Sequence, residues 1–157
     1  MAQQSTEYGK RQGHNHNVFS FPVGASEVFK KKGGAFVHLD DSGRVEIATA
    51  TDTDIIGHAL FNEDLTASST EGGTTVMVDM SWDSVFELPI NTGTWADTMR
   101  GEVCDLSISS SIQGVNLSAS AIDVIQLIDK GTTNAAGTVV SVLCRRNPRL
   151  IVLGGVV

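Results

Sequence analysis

Histidine, cysteine and clustered aspartate are the residues through which this chain could do chemistry, and their spacing decides what that chemistry would be. His14 and His16 stand one residue apart and could grip a metal from an extended segment, but two imidazoles with no further donor nearby make a poor site. His38 and His58 fall inside strand-like runs, where a ring simply faces its neighbours. Asp40, Asp41, Asp52 and Asp54 suggest a calcium loop, yet the alternating twelve-residue ligand pattern with its closing Glu is missing, so these aspartates read as turn formers. Cys104 and Cys144 sit in apolar runs and are expected as buried free thiols. A Ser, His, Asp triad is open by composition alone, but no nucleophile elbow is present, and no glycine-rich loop links a strand to a helix around a phosphate. Asn116-Leu117-Ser118 matches a glycosylation sequon, taken as accidental in a chain whose N-terminus has no secretion signal. The expectation is therefore no catalytic centre, no metal and no cofactor: a scaffold whose function lies on its surfaces.

The elements that would position those residues are strands. Residues 35–39 form one, residues 40–43 (Asp-Asp-Ser-Gly) a turn, and Arg44-Val45-Glu46-Ile47-Ala48 alternates cleanly into the next. A second turn at 51–54 leads to a strand over 55–61 and a long polar connection over 62–74. Val76, Val78 and Met80 then share one face, and Phe86, Leu88 and Ile90 share another, with Pro89 expected at an edge or strand end. The one helix expected is short, residues 94–100, with Thr94 and Asp97 at capping-box spacing, Trp95 in the core and Gly101 as the stop. Residues 107–120 carry six serines and read as a connection. Residues 121–129 are apolar all round, which suits a strand buried on both faces, and 138–146 is another β-branched run. The expected fold is all-β, a small barrel or sandwich of about eight strands. An extended arm and lead-in covers 1–33, and a single β-rich domain covers 34–157. The expected core includes Val45, Ile47, Val76, Val78, Phe86, Leu88, Val124 and Val142.

At 157 residues, with 41% hydrophobic residues and a mean hydropathy near zero, the chain has the material for one real core. No run approaches a membrane span, and the polar N-terminus points to synthesis in a cytoplasm and to no membrane partner. The net charge of −7 is unevenly spread. Residues 1–34 carry +3 through Lys10, Arg11, Lys30, Lys31 and Lys32 against two acids. Residues 35–142 carry −13, from sixteen acids against three bases, and 143–157 carry +3 through Arg145, Arg146 and Arg149. An acidic body argues against direct nucleic-acid binding, which needs a basic face to neutralise phosphates. Two basic ends suit docking within an assembly, although a charged segment also serves as a solvated edge that discourages stray pairing. Met1 to Asn17 is polar and core-poor and reads as a mobile arm, and Phe19 and Phe21 follow at strand spacing ahead of Pro22, an extended segment whose two rings either cover the protein's own barrel or fill a partner's pockets.

The order of these elements resembles the head decoration, or cement, proteins of tailed bacteriophages. The residues that carry the likeness are the Gly34-Ala35-Phe36-Val37-His38-Leu39-Asp40 opening, Gly43-Arg44-Val45, Ile55-Ile56-Gly57-His58-Ala59-Leu60, Thr75-Val76-Met77-Val78 and Val85-Phe86-Glu87-Leu88-Pro89. Arg100-Gly101-Glu102-Val103-Cys104-Asp105-Leu106, Ile122-Asp123-Val124 and Val140-Ser141-Val142-Leu143-Cys144-Arg145 follow the same plan, so the likeness spans roughly residues 30–148. The resemblance implies a non-enzymatic virion protein on the outer capsid surface, bridging subunits of the major capsid protein, often as a homotrimer. Partner-binding residues are then sought at Phe19, Phe21, Pro22, Lys30, Lys31, Lys32, Arg145, Arg146 and Arg149, and the apolar stretch 150–153 is either a contact with a neighbouring subunit or an ordinary last strand of the same one. Two other readings remain at this point: a tail, fibre or host-binding component on the same scaffold, and a small-ligand or hydrolytic barrel, which would need polar groups converging on a cavity.

Overall fold

The computed structural model describes residues 9–12, 17–132 and 134–149. In chain order the strands of the first half are β1 (Gly9–Gln12), β2 (Val18–Pro22), β3 (Val28–Phe29), β4 (Phe36–Leu39), β5 (Val45–Ile47), β6 (Gly57–Leu60), β7 (Leu65–Thr66) and β8 (Thr75–Asp79). Those of the second half are β9 (Val85–Thr92), β10 (Val103–Ser109), β11 (Ile112–Asn116), β12 (Ile125–Lys130), β13 (Asn134–Ala135), β14 (Thr138–Val139) and β15 (Ser141–Arg146). The fold is all-β, as the alternation implies.

Two closed sheets account for most of it. In the first, the order is β2-β8-β6-β4-β5, and a parallel bridge from Val23 to Val45 returns the sheet to its starting strand. In the second, β9 pairs with β11, then β10, β12 and β15 follow, and β15 pairs back onto β9. Each is a five-stranded barrel; closure pairs most of the edges that would otherwise recruit other strands, and in the first barrel it begins only at Val23, beyond the end of β2.

The two barrels are the same object built twice. Taking β2, β4, β5, β6 and β8 as counterparts of β9, β10, β11, β12 and β15, every pairing and its direction recurs. Phe19 faces Val78 as Phe86 faces Cys144. Leu39 faces Val45 as Leu106 faces Val115, and Phe36 faces His58 as Val103 faces Gln126. Even the parallel contact recurs, Val23 to Val45 and Ile90 to Val115. The buried interior residues match too: Val37, Val45, Ala59, Val76 and Val78 in one, Cys104, Val115, Leu127, Val142 and Cys144 in the other. The sequence keeps a trace of this in Val18-Phe19-Ser20-Phe21-Pro22-Val23 against Val85-Phe86-Glu87-Leu88-Pro89-Ile90.

Several expectations need correcting. The lead-in over 1–33 is not separate from the body: β2 is a strand of the first barrel, β3 pairs with β7 and puts Phe29 into that barrel's core, and β1 pairs antiparallel with β9 of the second. The alternation of Val18, Phe19, Ser20 and Phe21 is enough to make a strand once β8 is beside it. The helix expected over 94–100 is only a single 3-10 turn, Asp97–Met99, whose N-cap is Ala96 with no side-chain cap. Trp95 is half-buried there, packed against the second core. The serine-rich segment is no connection but a hairpin, with Ser109 facing Ile112 across Ser110 and Ser111, whose φ values are +51° and +64°. Two successive left-handed residues match the twist of a tight hairpin, a role usually given to Asn-Gly. Only 125–130 of the run 121–129 is strand, and the polar connection over 62–74 contains β7. Pro89 lies inside β9, at the point where that strand exchanges β1 for β11 along one side. Of the expected core residues, Ile47 alone is half-buried and the others are buried.

The barrels meet across a tight interface. Gly34 N–H donates to Gln113 O at 2.7 Å, and a Cβ on Gly34 would stand 2.6 Å from the Leu88 side chain, so the close approach requires glycine. Phe36, Ala48 and Ile55 of the first barrel join the core of the second.

Candidate functional site

The expected partner-binding residues fall into three environments. In β2, Phe19 is 54% exposed, while Phe21 is half-buried against the first core and Pro22 is exposed. The run at Lys30, Lys31 and Lys32 follows β3. Lys30 Nζ lies 3.3 Å from Asp64, Lys31 Nζ lies 3.4 Å from Glu63, and Lys32 is exposed. Asp64 also accepts the Lys31 backbone N–H at 2.9 Å, and that bond chiefly holds its carboxyl below the usual range. Two of the three lysines are thus tied to a loop of their own barrel, in exposed pairs that add little stability.

The arginines divide differently. Arg145 is half-buried and donates from Nε to Gln126 Oε1 at 2.9 Å, and Arg149 is exposed. Arg146 is buried between the barrels. It donates to Ile55 O at 3.1 Å and to Met80 O, and its guanidinium lies 3.7 Å from the centre of the Trp82 ring. Burial lowers its pKa to about 10, partly opposed by the charge of Asp79, so it stays a cation at neutral pH. A buried guanidinium with backbone acceptors and an aromatic face is a structural clamp. The lysine and arginine segments belong to different barrels and do not form one basic patch. Residues 150–153, along with His14, His16 and most of the expected arm, lie outside the described residues.

The groups with chemical potential are spent on structure. His58 is buried, accepts the Ala35 N–H on Nε2 at 3.0 Å and has Nδ1 2.8 Å from Ala59 O, a geometry that fits the neutral ring protonated on Nδ1. Burial lowers its pKa to about 4. Gln113, in the hairpin that the serine pattern concealed, accepts Phe36 N–H at 2.8 Å and donates to Phe36 O and Ala48 O at 2.9 and 2.8 Å. Asp40 accepts the Ser42 and Arg44 N–H groups, and Asp52 accepts Thr49 N–H, so these aspartates shape turns as expected. His38 lies 3.7–4.0 Å from carboxylate oxygens of Glu46, Asp52 and Asp54. Among the described residues no group of three or more His, Cys, Asp or Glu is arranged to hold a metal ion. Cys104 and Cys144 are free and buried; burial pushes the Cys104 thiol up to about 12 and Cys144 well above the usual range.

A few large apolar side chains also remain on the outside. Phe19, Met77 at 44% and Ile108 at 40% are the large hydrophobic side chains left exposed among the described residues. Scattered exposed apolar residues are ordinary, but Phe19 is singled out by its counterpart, since Phe86 in the same barrel position is 1% exposed. The repeated Val-Phe-x-Phe/Leu-Pro-Val/Ile hexapeptide was the signal in the sequence that could have identified it. Among the described residues no helix is long and apolar enough to cross a membrane. Compared with known proteins, the chain matches no family model and no curated protein.

Proposed function

We propose that this chain is a structural protein of a tailed-bacteriophage virion, bound to the outer surface of the assembled capsid as a homotrimer and bridging neighbouring subunits of the major capsid protein. The observation that carries the reading is where the polar side chains go. Gln113 and Arg146 hydrogen-bond from the second barrel to the first, and His58 stacks from the first on Phe86 of the second, so the fold invests this buried polarity in rigidity. A rigid double barrel offers other molecules its outside: the Phe19 end of the first barrel and the exposed Pro22, Lys32 and Arg149. The order of elements resembling the decoration proteins supports the same reading. Many equivalent weak contacts on one shell add by avidity, and a ligand that binds only the assembled state raises the energy needed to take it apart.

The test is to add purified protein to capsids that lack it, then to measure co-sedimentation and heat resistance and to image the particles. Saturable binding to the outer surface with a raised disassembly temperature is the expected result. No binding to intact capsids, or density confined to the tail, overturns the proposal.

A further inference from the structure

The second barrel shows how the Phe19 position is covered when it is complete. Phe86 is enclosed by the rings of Phe36 and His58, which project from the outer face of β4 and β6, and the edge of β9 beside it carries β1. Among the described residues neither cover has a counterpart over β2. Among the described residues, β2 pairs with β8 alone until Val23 bridges Val45. Val23 N–H donates to Thr74 O on the β8 side, and strand groups alternate, so Val18 and Ser20 turn their N–H and C=O groups toward the open edge. No charged side chain guards that edge between Val18 and Pro22. Edges meant for solvent are usually blunted with lysine, proline, a bulge or a covering loop, and of the blunting residues β2 carries only Pro22, at its end.

We infer that this end of the first barrel is the seat of a second copy of the chain, which lays the outer face of its β10 and β12 over Phe19. The contact that β4 and β6 make with Phe86 inside one chain is thereby repeated between chains. The surface is available: Val103 and Gln126 pair as Phe36 and His58 do, and both remain only half-buried. Because the two contacting surfaces differ, the association is head-to-tail, and the proposed homotrimer is its closed, ring form. The inference rests on the proposed virion role only for the number of copies, and self-association is read in the isolated protein without capsids, so the two can fail separately.

The experiment uses the full chain in size-exclusion chromatography with light scattering. The wild-type protein is expected as a closed oligomer. Phe19→Glu and Val103→Glu are each expected as folded monomers, with self-association weakened about tenfold or more. Mixed in equal amounts, the two variants retain one intact pair of surfaces and are expected to form a dimer and nothing larger. A monomeric wild type, a variant that keeps the wild-type mass, or a mixture that stays monomeric overturns the inference. Should Val103→Glu fail to fold, the double variant Phe19→Cys/Gln126→Cys serves instead. Oxidation is expected to link chains through these positions, since Cys104 and Cys144 are buried, and a folded protein with no interchain link overturns the inference equally.

Discussion

The imidazole of His58 lies flat against the ring of Phe86, 4.0 Å between centres and 9° between planes, and through this stack the first barrel closes the second. A buried ring whose Nε2 accepts a backbone N–H has no place for a second proton there. The contact is therefore sensitive to acid.

The folded pKa of His58, about 4, lies below the ordinary 6.5, so its contribution to stability is fully present above pH 6.5 and is lost as the pH falls toward 4. The difference corresponds to about 3 kcal/mol. Urea titrations between pH 7.5 and 4 are expected to show a fall in stability of that order that His58→Gln lacks. An equal acid loss in the variant refutes the assignment.

Gln113→Ala strands the Phe36 N–H and the Ala48 carbonyl in a buried interface and leaves the Phe36 carbonyl with the Ala48 N–H as its donor. With each unsatisfied group costing about 1–3 kcal/mol, a total loss of at least about 2 kcal/mol is expected. Hydrogen exchange at the Phe36 amide should accelerate at the same time. A protected amide in a folded variant counts against the clamp.

Neighbouring arginines should behave oppositely. Arg146→Ala removes the cation between Ile55, Met80 and Trp82 and is expected to cost about 3–5 kcal/mol. Arg145→Ala, at a half-buried position with one side-chain partner, is expected to cost under about 1 kcal/mol. Denaturant midpoints of the two variants decide this, and similar losses would refute the division of roles.

Neither cysteine should react in the native state, because both thiols are buried and held protonated. A colorimetric thiol reagent at pH 8 is expected to label the protein only on unfolding, with two equivalents released together. Rapid labelling of the native protein would show that one of the barrels opens readily.

What could be read in the sequence followed period-two alternation with little ambiguity. Val76 with Val78 and Phe86 with Leu88 announced both strand and buried face, because nothing competed with the pattern. Ser110-Ser111 did not, since serine tolerates left-handed backbone less often than Asn or Gly, and the tight turn was invisible; Gln113 was lost with it. Pro89 pointed to an edge because a missing N–H normally has no place mid-strand, but β9 changes partners there. Arg146 looked like surface charge because the order of residues says nothing of Trp82, which comes from the link between barrels. Phe19 and Phe21, read together as one pair of rings, part company in the barrel strand β2: Phe19 is exposed and Phe21 is half-buried against the first core.

Building one barrel twice in a single chain creates a sorting hazard during folding, since β2 and β9 carry nearly the same hexapeptide and each fits a partner of the same shape. Glu87 supplies a tag that tells them apart. It is buried, and its carboxylate accepts from the Ser141 hydroxyl at 2.7 Å and the Thr132 hydroxyl at 2.9 Å. The matching residue in β2 is Ser20, which faces Met77 on β8. A β9 strand that paired with β8 by mistake would bring its carboxylate to an exposed position beside Met77 and forgo both hydroxyl donors, and each hydrogen bond to a charged group is worth about 1.5–3 kcal/mol. One acidic side chain thus acts as a proofreading mark, returning each strand to its own barrel.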